Sequence, residues 1–225
     1  MNLLGIDIKI IEFLEKLTKR ESSQTVFNQY KSPFQHNNLF IYLNQAQING
    51  ADILFLGEAA GYKGCRITGV PFSANYNIKN SKCFSQLRKS LFLGQIDEKR
   101  ESTSTIFHEF INKKPSIYNK IVVWNVFPFH SYDSGNHNSN RTPSHQELVE
   151  GQDFILDLFK IFKFKQYYPI GASAETCLTE MRVNNIIPPF EFFRIRHPSH
   201  GGKVDFIKGM KRIFNIREKI QIKLV

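Results

Sequence analysis

Cysteine is scarce: the 225 residues hold three, Cys65, Cys83 and Cys177, odd in number and widely separated. That spacing excludes a disulfide framework and a paired-cysteine metal site, and it points to a reducing compartment. Long apolar runs are also missing. None approaches the roughly 18 residues of a membrane span, and Lys9, Glu12, Glu15 and Lys16 interrupt the one stretch near the start that could act as a leader. The expectation is a cytoplasmic, intracellular protein without a membrane partner. Internal repeats and low-complexity linkers are absent too. Acidic residues are few, 20 Asp plus Glu against 30 Lys plus Arg, for a net charge of +10. Such an excess favours polyanionic partners, nucleic acid first among them, although solvated lysine faces give the same total. From Lys203 to Val225 seven basic residues face two acidic ones, so half the excess sits in the last segment.

What is present is the composition of a globular chain, 41% hydrophobic and 22% charged, which excludes disorder and coiled coil. Its length suits one domain, read as a helical N-terminal part over 1–50, a core over 51–206 and a basic C-terminal helix over 207–225. Ile10, Ile11, Phe13, Leu14 and Leu17 follow helical spacing, and a second helix is expected over Phe34–Ile48 behind Pro33. Four short apolar runs then read as strands buried on both faces: Ile53–Leu56 stopped by Gly57, Ile121–Trp124 ending at Asn125, Gln166–Ile170 stopped by Gly171, and Phe190–Ile195. Between and after them helices are expected over Ser81–Leu93, Ser102–Asn112, Ser144–Phe162, Ala172–Arg182 and Asp205–Lys223, with a long mobile loop over Ser131–Asn140. This alternation predicts a three-layer α/β/α architecture around a mainly parallel four-stranded sheet, with ligands bound beyond the strands' carboxyl ends.

The segments closing those strands are GEAAGYKGCRITGVPFS from Gly57, WNVFPF from Trp124 with NRTP downstream, Gly171-Ala172-Ser173-Ala174, and HPSHGG from His197. In this order they resemble the uracil-DNA glycosylase superfamily: its GEAPG-type opening motif followed by Pro-Phe-Ser, its asparagine-bearing strand end with NRTP, and its HPS motif. The resemblance spans about Asp52 to Phe206. It implies the uracil-DNA glycosylase fold, DNA carrying uracil or another deaminated base as partner, and no cofactor.

An enzyme that removes an extruded base needs a ring to stack on it, an amide to read its edge, and donors for charge developing on the leaving base. Phe72, one of 21 phenylalanines, is a core residue by composition and the stacking ring by motif position. Asn125 can offer a carbonyl to uracil N3–H and an amine to O4, or act as a polar strand cap. Resemblance assigns His197 as donor to the leaving base. Backbone amides from Glu58 to Gly61 would form an anion-binding turn, where Ala59, Ala60 and Gly61 permit close approach. Ser199, Gly201, Gly202 and Arg141 are the expected DNA contacts, with Arg141 also able to anchor its own loop.

Departures from the family are equally informative. Better-known members orient the attacking water with an aspartate where this chain has Ala59, so Glu58 is the nearest carboxylate for that task, with a structural role as its alternative. Gly61 stands where a tyrosine shuts out thymine. Three cysteines cannot bind the four-cysteine iron–sulfur cluster of one branch, and Gly201–Gly202 occupy the place of an inserted leucine wedge. His130, His137, His145 and His200 match no zinc spacing, so no metal is expected. The resulting expectation is a monomeric, monofunctional glycosylase. The alternatives are a nucleic-acid-binding protein that keeps the pocket without turnover and, less favoured, a histidine-based metallohydrolase.

Overall fold

The computed structural model describes residues 7–85, 87–90, 100–199 and 201–215. Helix α1 (Ile8–Lys19) starts where the Asp7 side chain accepts from Lys9 N–H at 2.9 Å, and it buries Ile10, Phe13, Leu14 and Leu17 along one stripe. Helix α2 (Pro33–Ile48) begins on a proline, whose missing N–H costs nothing in the first turn. Strand β1 (Val26–Phe27), between the two helices, later pairs antiparallel with β4 (His130–Ser131).

The central sheet holds β2 (Ile53–Ala59), β3 (Ile121–Phe127) and β5 (Gln166–Pro169), all parallel, in the order β3-β2-β5. Register fixes which side chains share a face. Leu56 lies beside Trp124, and Phe55 beside Val123, so Trp124 and Phe55 point to opposite sides. Trp124 meets Phe13 of α1 with ring centroids 5.3 Å apart. Phe55 meets Tyr168 at 5.7 Å and Phe214 at 6.1 Å. Phe214 follows helix α8 (Lys203–Ile213), whose Phe206 packs 6.5 Å from Phe107 of α5 (Ser102–Ile111). Helices on both faces make the predicted three layers.

Helices α6 (His145–Ile161) and α7 (Ala172–Val183) complete the layer that contains α1. A capping box between Ser144 and Glu147 starts α6. Gly151 lets α6 approach the sheet closely: a β-carbon there would stand 1.9 Å from the Val126 carbonyl oxygen. On the exposed edge of β3, the Tyr42 hydroxyl of α2 accepts from Val123 N–H at 2.7 Å, satisfying an amide the sheet leaves open.

Several expectations need correction. The fourth apolar run does not form a strand: only Ile195 pairs, through Ile195 N–H to Pro169 O and Gly171 N–H to Ile195 O at 2.8 and 2.9 Å. Before it, Pro188 and Pro189 lack donors, and Phe190, Phe192 and Phe193 pack their rings on Tyr167 and Tyr168. The helix expected over Ser81–Leu93 is replaced by α4 (Asn75–Asn80) and a 3-10 turn over Lys82–Phe84, separated by the extended Ser81; residues 86 and 91–93 lie outside the described residues. A short α3 (Cys65–Thr68) precedes α4. Strand β2 runs past Gly57 to Ala59, which pairs with Phe127. The final helix stops at Ile213, with Asn215 at φ +49°, and residues 216–223 of the expected helix are outside the described ones. The Ser131–Asn140 loop, expected to be mobile, is tied down: Arg66 donates to His137 O and Asn138 Oδ1, and Asn140 Oδ1 accepts from Tyr62 N–H. Among the described residues no helix is long and apolar enough to cross a membrane.

Candidate active site

Beyond the carboxyl ends of the strands lies a cavity of about 750 Å³, lined by segments from all three and by the loop after Ile195. Asn125 reaches it from β3, one pairing step from Gly57 on β2. Its side chain is buried, and among the described residues no hydrogen bond takes up its amide. The ring of Phe72 lies against the same glycine: a β-carbon on residue 57 would come within 2.4 Å of Phe72 Cε2 and 2.9 Å of Asn125 Oδ1. Phe72 holds φ +54°, a left-handed conformation that non-glycine residues adopt rarely and mostly at functional turns. Its ring meets the edge of Phe107 at 5.6 Å. Thus a flat apolar surface and an uncommitted amide share one wall.

His197 lines the same cavity. Its Nδ1 accepts from Ser199 N–H at 3.4 Å and lies 2.7 Å from Ser199 Oγ. In a neutral ring an accepting Nδ1 leaves the proton on Nε2, which makes that nitrogen a donor. Gly202 permits this turn, since a β-carbon there would stand 1.9 Å from His197 O, and Gly201 takes φ +76°. Glu58, on the opposite side of β2 from Gly57, accepts from the Ser173 hydroxyl at the start of α7. Its Oε2 has no partner among the described residues. Ala59, Ala60 and Gly61 line the cavity. Because β2 continues through Ala59, the turn after it begins later than the Glu58 start expected from the sequence.

The chain aligns with wild-type Pedobacter heparinus SMUG2 at a TM-score of 0.67 and 17% identity, over 92% of this chain and 97% of that one. The two chains share one fold. No protein-family model matches the sequence, and no curated protein does.

Within this fold, one carboxylate escaped the sequence reading. Glu101, at the cap of α5, lines the cavity and fills the space beside two glycines: β-carbons on Gly61 and Gly64 would stand 2.0 and 2.3 Å from its carboxylate oxygens. Burial pushes its carboxyl up to about 7, against the opposing pull of a Ser104 hydrogen bond and the Lys63 charge. Two glycines three residues apart signalled a close approach, but not by what. Arg141 lines the cavity too, yet its guanidinium grips Glu147 at 2.8 and 3.0 Å, so it chiefly anchors the NRTP turn to α6. Lys63, Arg100 and Arg196 supply further positive charge to the lining. The cysteines have separate surroundings: Cys65 contacts Tyr30, Cys83 contacts His108, and Cys177 contacts Met181. Among the described residues no group of three or more His, Cys, Asp or Glu side chains is arranged to hold a metal ion. His200 lies outside the described residues.

Proposed function

We propose that this protein is a DNA glycosylase that hydrolyses the N-glycosidic bond of a deaminated base, uracil foremost, and leaves an abasic site. The observation that carries this reading is the Phe72 ring and the unpartnered Asn125 amide meeting over Gly57 in one cavity with His197. A base swung out of its strand would stack on Phe72 and present its Watson–Crick edge to Asn125. As the bond to C1′ breaks, the electron pair passes to the base, and His197 Nε2–H donates to the oxygen on which that charge gathers. Water adds to C1′, with the free Oε2 of Glu58 to orient it. The scheme is a direct hydrolysis by water, which involves no Schiff base and hence no strand cleavage. Lys63 and Arg196 at the cavity, with Gly201 and Gly202 of the turn after His197, would face the DNA backbone.

Incubation with single- and double-stranded oligonucleotides bearing uracil, hypoxanthine, xanthine or a thymine mismatch, followed by alkali, tests the proposal. Cleavage at uracil, lost in His197→Ala, is the expected result. Tight binding to the same oligonucleotides without any cleavage supports instead a binding protein that keeps the pocket, a reading that Ala59 in the place of the water-orienting aspartate and Gly201–Gly202 in the place of the leucine wedge would allow.

A further inference from the structure

The ring conformation that makes Phe72 a stacking surface is not self-sustaining. At φ +54° a phenylalanine needs neighbours that hold its backbone. Part of that support is local: Thr68 Oγ1 donates to Ser73 O at 2.7 Å and accepts from Val70 N–H at 3.1 Å. The rest comes from α5, which presents two consecutive residues to this turn. Phe107 meets the Phe72 ring, and His108 reaches the Ser73 hydroxyl next to it.

His108 is buried among Phe84, Phe107 and Tyr118, with ring centroids 5.4, 5.4 and 6.2 Å away. Packing alone would be served there by an apolar side chain, yet both ring nitrogens are engaged. Nε2 lies 3.1 Å from Ser73 Oγ. Nδ1 lies 3.0 Å from Ser81 Oγ, which donates to Asn112 Oδ1 at the end of α5 at 2.7 Å. The imidazole therefore ties the Phe72–Ser73 turn to both ends of a rigid frame. Burial drives its pKa down to about 3, so the ring is neutral at working pH and keeps one acceptor and one donor.

We infer that His108 is a positioning residue for Phe72: through the Ser73 hydroxyl and the Phe107 ring it fixes where the stacking ring stands relative to Asn125. This rests on the glycosylase reading, in which Phe72 stacks on the base. Because His108 acts only through Phe72, its loss should matter only while the ring is there.

The test is a double-mutant cycle on single-turnover excision of the oligonucleotide that the wild type processes fastest, with wild type, His108→Leu, Phe72→Ala and the double variant. His108→Leu should slow excision by on the order of 10²-fold, as for a misplaced reacting partner. It should weaken inhibition by the free base, and leave affinity for DNA carrying a tetrahydrofuran abasic analogue within about twofold of wild type. In the Phe72→Ala background His108→Leu should cost nothing more. Ser73→Ala, which removes a hydroxyl and leaves the imidazole, should give a smaller loss that also vanishes without Phe72. It carries the same cycle if thermal melting shows His108→Leu unfolded. Additive losses, or an unchanged rate in folded variants, overturn the inference alone. A wild type that excises no base overturns the glycosylase reading and this inference with it.

Discussion

Phe72 and Asn125 converge on one glycine, so that the ring and the amide are set not only by their own backbones but by the missing side chain between them. Gly57→Ala should therefore act as an active-site substitution although glycine has no functional group. Its β-carbon would stand 2.4 Å from Phe72 Cε2, so the ring must move. Excision should fall on the order of 10²-fold. Gel-shift affinity for an abasic-analogue duplex should hold, and parallel loss of both would mean that the sheet itself had shifted.

His197→Ala removes the Nε2 donor from the leaving base and should lower the single-turnover rate by about 10²-fold or more, as for the loss of a transition-state donor. Ser199→Ala leaves the imidazole in place but frees Nδ1 from Ser199 Oγ, and should cost less. Equal losses from the two would assign the histidine a structural part.

Stability should bend with pH in two opposite ways. The Glu101 carboxyl is raised from its ordinary 4.5 to about 7, so between those values the folded chain holds a proton that the unfolded chain has released. Its contribution is complete below about 4.5 and is lost as pH rises through about 7. His108 is lowered from 6.5 to about 3, so its contribution is complete above 6.5 and is lost as pH falls toward 3. Urea unfolding from pH 3 to 8 should show stability rising to about 4.5, nearly level to about 6.5 where the two oppose each other, and falling near 7; Glu101→Gln should extend the rise to about 6.5 and remove the falling slope. If the variant keeps that slope, another group titrates there.

Phosphate contacts at the cavity rim predict a salt signature. Lys63→Ala and Arg196→Ala should each reduce the slope of log affinity against log salt by about one unit, alike for every sequence. On α8, Lys208 lies 3.7 Å from Asp205, and the Arg212 guanidinium stands 4.0 Å over the Phe193 ring. Those cations are partly committed within the protein, and neutralising Lys208 should change the slope less. The reverse ranking would move the DNA face to α8.

The three sheet strands were legible because each holds a short, mainly apolar run, although β2 and β3 continue past the Gly57 and Asn125 that were expected to end them. The fourth run looked alike in composition. Its paired prolines and aromatic side chains, though, favour ring packing over a ladder, and periodicity does not distinguish the two. Asn125, Phe72 and His197 were singled out through motif order, and the fold brings all three to one cavity. Glu101, Ser173 and His108 were not assigned roles, because each meets its partner across the fold; Glu101 and His108 lie outside the motif segments, and Ser173 lies in one without chemistry of its own there. The raised Glu101 carboxyl and the neutral His108 ring are products of enclosure, which has no local sequence signal.

Gly151 sits on α6 outside the cavity lining, yet its lack of a side chain lets that helix rest on the Val126 carbonyl, immediately after Asn125. A methyl group there must displace either the helix or the strand end that carries Asn125. In a random-mutagenesis survival screen, substitutions at Gly151 should thus cluster with inactivating changes in the pocket rather than with tolerated helix-surface changes, and revertants should map to small residues along the α6–β3 seam.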